Sequence, residues 1–242
     1  MKILAIDSSG LVASAAILES NGEAPFEKVI ASASTDYKKT HSQTLLPMID
    51  RICKETESVP GDFDAVAVSA GPGSFTGLRI GSATAKAIAN ASDIPIVEVP
   101  TLEGLAYNVW GTEKAVCPMM DARRDQVYSA LYGFENDRLV IFKEQEALSV
   151  EDMMKCINEL GKEVVFLGDG ADAYHDRICE LAKVKYVFAP AHMNRQNAAS
   201  VAVLGAVMYS EGKTVKADDH SPKYLRVSQA EREGAKDFNL VS

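Results

Sequence analysis

The sequence has few cysteines, no long apolar run and no recognisable leader, and each shortage excludes a class of protein. Its four cysteines, Cys53, Cys117, Cys156 and Cys179, are widely spaced and none belongs to a Cys-x-x-Cys pair, so we expect reduced thiols. No apolar run approaches the roughly eighteen residues that would span a bilayer. Residues 1–7 lack the apolar core and cleavage site of a secretory signal. We therefore expect a soluble, cytoplasmic protein that makes no membrane contact.

Basic residues and histidines are also scarce. Asp and Glu number 34 against 25 Lys and Arg, so the formal net charge is −9. This balance argues against a large phosphate-binding surface, and any nucleic acid would be reached through a partner. The histidines are His41, His175, His192 and His220. No two of them are three or four residues apart, so no helix face carries a paired metal site, and we predict no metal.

A pattern of three strands, a helix, a strand and a helix occurs twice along the 242 residues. Alternating apolar strands and amphipathic helices indicate an α/β protein whose sheets contain parallel neighbours. In the first half the predicted strands are 2–6, 12–18, 28–34, 64–69 and 94–99, and the predicted helices are 41–57, 77–91 and 101–110. In the second half the predicted strands are 115–121, 127–134, 139–143, 164–168 and 184–188, and the predicted helices are 149–160, 171–181 and 197–211.

Two such halves facing each other form the layout of the actin, sugar-kinase and hexokinase superfamily. We therefore predict an actin-like, ribonuclease-H-like fold with duplicated βββαβα halves. The boundary is expected near Pro100, with residues 1–100 as the first half, which carries the partner-binding helices, and residues 101–242 as the second, degenerate half. The long helix at 197–212 could pack back on the first half. Pro47 is unfavourable inside a helix, so the helix at 41–57 could instead begin nearer Leu46.

The most specific stretch is the glycine-rich segment, residues 69–81, which reads SAGPGSFTGLRIG. Gly71 and Gly73 permit a tight turn between a strand and a helix, and Ser74 or Thr76 could cap that helix. Free N–H groups at a helix start favour anions. However, the segment lacks the lysine of a Walker loop, and its GxGxxxG spacing departs from the dinucleotide pattern GxGxxG. A structural turn and an anion site both remain open.

The helix that follows carries small residues at every fourth position. Gly77, Gly81, Ala85 and Ala89 would form a smooth ridge on which another helix could pack closely. The ridge could pack on its own sheet, or it could form a subunit interface. We predict the interface, formed by His41, Leu45, Leu46, Ile49, Gly77, Leu78, Gly81, Ala85 and Ala89. On this hypothesis Gly81→Arg leaves the monomer folded but abolishes dimerisation.

Several motifs together resemble the TsaB family, also called YeaZ. They are Ile6-Asp7-Ser8-Ser9, residues 41–49, residues 69–81, Pro100-Thr101-Leu102, residues 120–124 and residues 222–226. The resemblance runs in order from end to end and is densest over the first 125 residues, and its Gly-Pro-Gly-Ser-Phe-Thr-Gly-Leu-Arg string is the most specific part.

The resemblance implies a fold similar to TsaD, which catalyses threonylcarbamoyl transfer to N6 of the adenosine 3′ of the anticodon in certain tRNAs. It implies a non-catalytic subunit, with no catalytic residue of its own, that activates TsaD. Such a subunit forms a homodimer alone and a heterodimer with TsaD through its first-half helices, and the ATPase TsaE joins that pair. Contact with tRNA would be indirect, and contacts by Arg123, Arg124, Lys223 or Arg226 are left open.

A vestigial nucleotide site is a further expectation. In actin-like ATPases an aspartate at the position of Asp7 holds Mg²⁺-bound water. The residues of the possible relic are Asp7, Ser8, Ser9, Gly71, Gly73, Gly168 and Gly170. The second phosphate turn would be residues 121–125, which contain no glycine. We therefore expect no tightly bound cofactor, with weak nucleotide binding at the complex interface.

The main alternative is an actin-like ATPase or a small-molecule kinase. That function would require the second phosphate turn, which the sequence lacks. A peptidase is a weaker alternative, because no Gly-x-Ser-x-Gly elbow places a serine at a strand-helix turn. An ATPase would bind and hydrolyse ATP by itself, whereas a partner subunit would do little of either.

Overall fold

The structure, a computed structural model, describes residues 1–20, 27–37 and 40–225. It contains two five-stranded sheets with helices packed on them. The first half comprises β1 (Lys2–Asp7), β2 (Ala13–Ser20), β3 (Glu27–Thr35), α1 (His41–Glu55), β4 (Ala65–Gly71), α2 (Phe75–Ser92), β5 (Ile96–Pro100) and α3 (Thr101–Ala106). The second comprises β6 (Ala115–Asp121), β7 (Gln126–Glu135), β8 (Arg138–Ser149), α4 (Val150–Leu160), β9 (Val164–Leu167), α5 (Asp169–Ala173), α6 (His175–Leu181), β10 (Tyr186–Phe188) and α7 (Ala198–Ser210).

The two sheets have the same topology. Their strand orders are β3-β2-β1-β4-β5 and β10-β9-β6-β7-β8. In each sheet the first strand pairs antiparallel with the second and parallel with the fourth. This confirms the predicted actin-like α/β fold with duplicated halves. The division of the chain near Pro100 stays a prediction.

Helices cover both faces of the first sheet. This explains why β1 reads as a continuous apolar run, with residues 3–6 fully buried, rather than as an alternating pattern. On one face lie α1 and α2, whose buried side chains share a cluster with Leu4, Ile6 and Val68. On the other face lies α7, which follows the second sheet in sequence yet packs on β1, β2, β4 and β5.

Three elements differ from the sequence-based prediction. Helix α1 begins at His41 and continues through Pro47, which is exposed, so the alternative start near Leu46 is wrong. The helix predicted at 171–181 is instead two short helices that meet at Tyr174, whose ψ of 21° interrupts the first. Strand β8 extends to Ser149 because its polar residues after Lys143 pair with β7 along the sheet.

In the part of the chain that the structure describes, no helix combines the length and the apolar character needed to cross a membrane. All four cysteines are free, and Cys117 is buried. Burial raises the pKa of the Cys117 thiol to about 12, so this residue stays a neutral thiol.

Candidate partner-binding face and interdomain cleft

Asp7 ends β1 and is 1% exposed. Its Oδ1 accepts hydrogen bonds from the Ser9 N–H at 2.9 Å and the Ser9 hydroxyl at 2.6 Å, and its Oδ2 accepts one from the Ser69 hydroxyl at 2.7 Å. Burial raises the pKa of this carboxyl, and these hydrogen bonds oppose the shift. Both carboxylate oxygens are therefore engaged by the chain itself, as structural acceptors that hold the turn after β1.

The turn after β1 rests on the glycine-rich segment. The Ser8 hydroxyl donates to the Gly77 carbonyl oxygen at 2.8 Å, and the Ser74 N–H donates to the Ser9 carbonyl oxygen at 2.7 Å. A Cβ at Gly77 would collide with the Ser8 carbonyl oxygen, and one at Gly73 would collide with that of Ser9. The close approach that these glycines permit is thus to the chain's own backbone.

Most residues of the predicted small-residue interface are buried within the chain itself, and their contact with a partner stays a prediction. Gly77 and Gly81 lie under Ser8, and a Cβ at Gly81 would be 2.5 Å from the Ser8 Oγ. Gly81→Arg would therefore disrupt the monomer, contrary to the sequence-based expectation. The other buried members of the predicted set are Leu45, Ile49, Leu78, Ala85 and Ala89. Their burial follows from packing on the chain's own sheet, where small side chains let α2 lie close to β4.

The remaining surface of these two helices is solvent-facing. We call it the α1–α2 outer face, and its exposed or half-exposed members are Leu46, Thr76, Ile80, Ala83 and Ala87. Leu46 is 59% exposed, whereas its neighbours Leu45 and Ile49 are buried. His41, by contrast, is half-buried, and its Nε2 donates to the Gly10 carbonyl oxygen at 2.8 Å. It anchors the start of α1 to the turn after β1.

A cleft of about 1200 Å³ opens between the two halves. Its lining from the first half includes Ser9, Gly10, Leu11, Asp36, Tyr37, His41, Gly73, Ser74, Phe75, Thr76, Gly77 and Ile80. Its lining from the second half includes Met120, Asp121, Ala122, Arg123, Tyr128 and Asp169. Among the residues that the structure describes, no lysine lines this cleft. Among the lining residues that the structure describes, the carboxylates of Asp36, Asp121 and Asp169 outnumber the single fixed cation, Arg123.

The second-half turns differ from phosphate-binding loops. Arg123, Arg124 and Asp125 are in the left-handed region, with φ of 61°, 59° and 57°, and each carries a side chain at the hairpin tip. Gly168 has a φ of 102°, and its Cβ would collide with the Met119 carbonyl oxygen. A Cβ at Gly170 would be 2.9 Å from the backbone carbon of Met120. Packing of α5 against β6 thus explains this glycine pair.

Asp169, between these glycines, faces the cleft beside Asp121. Burial raises the pKa of its carboxyl, and the charge of Arg195 opposes that shift. Within residues 1–20, 27–37 and 40–225, no three histidine, cysteine or acidic side chains converge as metal ligands. The described lining of the cleft thus combines the acidic groups Asp121 and Asp169 with the aromatic groups Phe75 and Tyr128.

The sequence-based analysis missed the contacts of the C-terminal residues. Tyr224 stacks on Phe75 with ring centroids 4.8 Å apart, and the Lys223 N–H donates to the Ala70 carbonyl oxygen at 2.7 Å. Residues 222–226 stood out only as a motif, although an apolar Tyr-Leu pair in a polar tail indicates a docked segment. Arg226 lies outside the described residues.

The duplicated topology, the interlocked turns and the charged second hairpin together define an actin-like protein with a modified interdomain cleft. A family model described as TsaD, tRNA N6-adenosine threonylcarbamoyltransferase, matches residues 28–234. The protein "tRNA threonylcarbamoyladenosine biosynthesis protein TsaB" of Bacillus subtilis is 33% identical over 96% of this chain and 96% of its own. Its Escherichia coli counterpart is 32% identical over 93% and 95%. The chain therefore belongs to the TsaB family, and the resemblance found in the sequence is confirmed.

Solved structures agree on the fold. A protein of Pseudomonas aeruginosa described as similar to peptidase YeaZ superposes with a TM-score of 0.78 at 24% identity, covering 93% of this chain and 99% of that one. A second structure, YeaZ from the same organism, gives a TM-score of 0.74 with the same coverage and identity. These likenesses extend over nearly the whole chain, so the two-sheet architecture is that of the family.

Proposed function

We propose that this chain is a non-catalytic subunit that pairs with a TsaD-family tRNA N6-adenosine threonylcarbamoyltransferase and activates it. Membership of a family named for tRNA threonylcarbamoyladenosine biosynthesis supports the pathway. A match to a family model named for the transferase supports a partner of related fold. Proteins of one fold often associate through equivalent surfaces, which fits a pseudo-symmetric heterodimer and a homodimer in the partner's absence.

The α1–α2 outer face is the observation that carries this proposal. Leu46 is exposed on α1, and Ala83 and Ala87 give α2 an exposed stripe of small side chains. The small side chains of α2 allow a helix of the partner to approach closely, and burying the exposed Leu46 of α1 favours association. This face replaces the buried ridge as the proposed contact surface, while Leu46 is retained from the predicted set.

The further elements of the proposal are a cytoplasmic location, TsaE as an additional partner, indirect contact with tRNA, and no tightly bound cofactor. The four free cysteines fit a reducing compartment. The net charge of −9 fits a subunit that leaves the tRNA surface to its partner. The engagement of both Asp7 oxygens by Ser9 and Ser69 fits a cleft that has lost tight nucleotide binding.

The test compares Ala83→Arg with Val207→Arg. Val207 is 39% exposed on α7, on the opposite face of the same sheet, so it controls for an added surface arginine. Affinity for the TsaD-family enzyme of the same organism and threonylcarbamoyl transfer to tRNA, with TsaE present, are measured for each. We expect Ala83→Arg to abolish binding and stimulation with an unchanged melting temperature, and Val207→Arg to behave as wild type. Stimulation by Ala83→Arg equal to wild type would refute the proposed face.

The cleft favours one second candidate, an actin-like ATPase, because its volume of about 1200 Å³ is large enough for a nucleotide. Weak nucleotide binding in the cleft, at a site that a partner completes, is compatible with the main proposal. ATP hydrolysis by the purified chain alone is incompatible with it. A steady-state ATPase assay without partners separates the two functions, and turnover that is lost in Arg123→Ala would favour the enzyme.

A further inference from the structure

The chain after α7 returns to the first sheet and runs along it. Val215 and Ile96 exchange both backbone hydrogen bonds, each at 2.9 Å, so Val215 extends the sheet at the outer edge of β5. Residues 215–225, which we call the C-terminal strap, then pass beside α2 to the glycine-rich segment. The strap forms no helix or extended strand, so individual backbone and side-chain contacts determine its path.

Four side chains hold the middle of the strap in place. His220 is fully buried, and its Nδ1 lies 2.7 Å from the Glu98 Oε1, while the Lys223 Nζ lies 3.0 Å from the Glu98 Oε2. Lys86 of α2 donates from Nζ to the carbonyl oxygens of Asp218 at 3.2 Å and His220 at 3.1 Å. Glu98 on β5 and Lys86 on α2 thus hold the strap from two separate elements.

The end of the strap holds the glycine-rich segment. The Lys223 N–H donates to the Ala70 carbonyl oxygen at 2.7 Å, at the point where β4 ends. The Lys223 carbonyl oxygen lies so close to Gly71 that a Cβ there would collide with it. Gly71 also has a φ of 121°, which side chains rarely adopt. The collision and the backbone conformation therefore each exclude a side chain at this position. The turn that leads into α2 therefore packs directly against the backbone of the strap.

Tyr224 continues the contact into the first turn of α2. Its ring packs on Phe75, the Arg79 guanidinium lies 3.9 Å above the Phe75 ring centroid, and the Arg79 Nε donates to the Tyr224 hydroxyl at 3.3 Å. Tyr224 remains 39% exposed after these contacts. Phe75 and Arg79, which it contacts, directly precede Thr76 and Ile80 of the α1–α2 outer face in the sequence.

We propose that the C-terminal strap is a positioning element of the partner-binding face, and that a TsaD-family partner packs against Tyr224 together with α1 and α2. This inference rests on the proposed function, because it assigns a further part of the same contact surface. The strap orders the first turn of α2 through Phe75 and Arg79, and Tyr224 extends the face beyond the two helices. Partner affinity then depends on residues more than 120 positions away from α2 in the sequence.

The first experiment measures affinity for the TsaD-family enzyme of the same organism with Tyr224→Ala, Tyr224→Phe and Trp110→Ala. Trp110 is 51% exposed and follows α3 on the α7 side of the sheet, so it controls for loss of an exposed aromatic ring. We expect Tyr224→Ala to weaken binding about three- to tenfold, which is the range for losing one aromatic pair. Tyr224→Phe keeps the ring and is expected to bind within about twofold of wild type, and Trp110→Ala is expected to bind as wild type.

The second experiment follows hydrogen exchange in the chain alone. Tyr224→Ala and Glu98→Gln are expected to accelerate exchange of the amides at 73–79 about tenfold while leaving α7 unchanged, because local opening is coupled to the strap. Unchanged exchange in both variants, or an affinity for Tyr224→Ala equal to wild type, would overturn the inference.

Including Ala83→Arg separates the strap from the proposed function. If Ala83→Arg fails to bind and Tyr224→Ala binds normally, the face is right and the strap inference is wrong. If Tyr224→Ala weakens binding and Ala83→Arg does not, the partner contacts Tyr224 away from the α1–α2 outer face, so the proposed face is wrong and the strap does not act by positioning it. Normal binding by both variants refutes both.

Discussion

Ser8 and Gly77 are 69 residues apart in sequence and joined by a 2.8 Å hydrogen bond from the Ser8 hydroxyl to the Gly77 carbonyl oxygen. In addition, the Ser8 carbonyl oxygen occupies the space that a Cβ at Gly77 would need. The turn after β1 and the start of α2 are thus packed directly on each other. The glycines of this segment serve that packing.

Enlarging Gly81 will destabilise the monomer. Gly81→Leu places a side chain against the Ser8 Oγ and the side chain of Val68, so the free energy of unfolding should fall by about 2 kcal/mol through overpacking. Urea denaturation measures this change. Ala83→Leu, two residues further along α2 and exposed, is the matched control and should stay within about 0.5 kcal/mol of wild type. Equal stabilities of the two variants would contradict the buried placement of Gly81.

Asp7→Asn will be tolerated. Burial raises the pKa of Asp7, so the folded state favours the protonated form. The free energy of unfolding therefore falls as the pH rises from the ordinary pKa of 3.8 through the higher pKa of the folded state. Below both pKa values there is no such loss. Asparagine keeps an acceptor for Ser9 and can donate to Ser69. We expect the free energy of unfolding of Asp7→Asn at pH 7 to lie within about 1 kcal/mol of the wild-type value. Unfolding titrations at pH 4 and pH 7 should show a smaller change in this free energy between the two pH values for the variant than for wild type.

Glu98 will support stability at neutral pH but not in acid. Burial alone would raise its pKa, but hydrogen bonds and charges from His220 and Lys223 outweigh that effect and lower it. The contribution is therefore complete above the ordinary value of 4.5 and is lost as the pH falls through the lowered folded value. Glu98→Gln should cost about 1 kcal/mol at pH 7, after allowance for solvent screening. A loss that stayed the same at pH 2.5 would show that the charge is not responsible.

Relief of backbone strain is expected at the hairpin between β6 and β7. Arg124 has a φ of 59° between two other residues in the left-handed region, where a Cβ costs about 1–2 kcal/mol. Arg124→Gly removes that cost but adds backbone entropy to the unfolded chain, so we expect a net gain of about 0.5 kcal/mol in the free energy of unfolding. Arg138→Gly, in the regular strand β8, should instead destabilise the protein. Thermal unfolding of both variants provides the comparison.

Local patterns were sufficient for the fold but not for the site. The apolar run of β1, the small-residue period of α2 and the uniformly apolar α7 each predict their element, because periodicity and burial are local properties. The ridge of Gly77 and Gly81 predicts close packing equally well against a partner or against the chain itself. Which of the two occurs depends on Ser8, whose contact with α2 has no local signal.

The contacts of the C-terminal residues are unpredictable for the same reason. Tyr224 meets Arg79 across 145 residues, and His220 meets Glu98 across 122. The Tyr-Leu pair indicates that the tail docks, but neither it nor His220 indicates which distant residue is contacted. The break between α5 and α6 at Tyr174 was also missed, because no proline or glycine marks it.

The position of α7 also governs when this protein can fold. Until residues 198–210 leave the ribosome, the face of the first sheet formed by Ile3, Ala67 and Val99 lacks its main cover. A nascent chain that contains every strand of that sheet therefore still exposes much of one apolar side to solvent, and closure waits for a helix that follows the whole second sheet in the sequence. The first half is thus completed only after the second sheet has been synthesised, and chaperones that shield apolar surface have that length of chain in which to act.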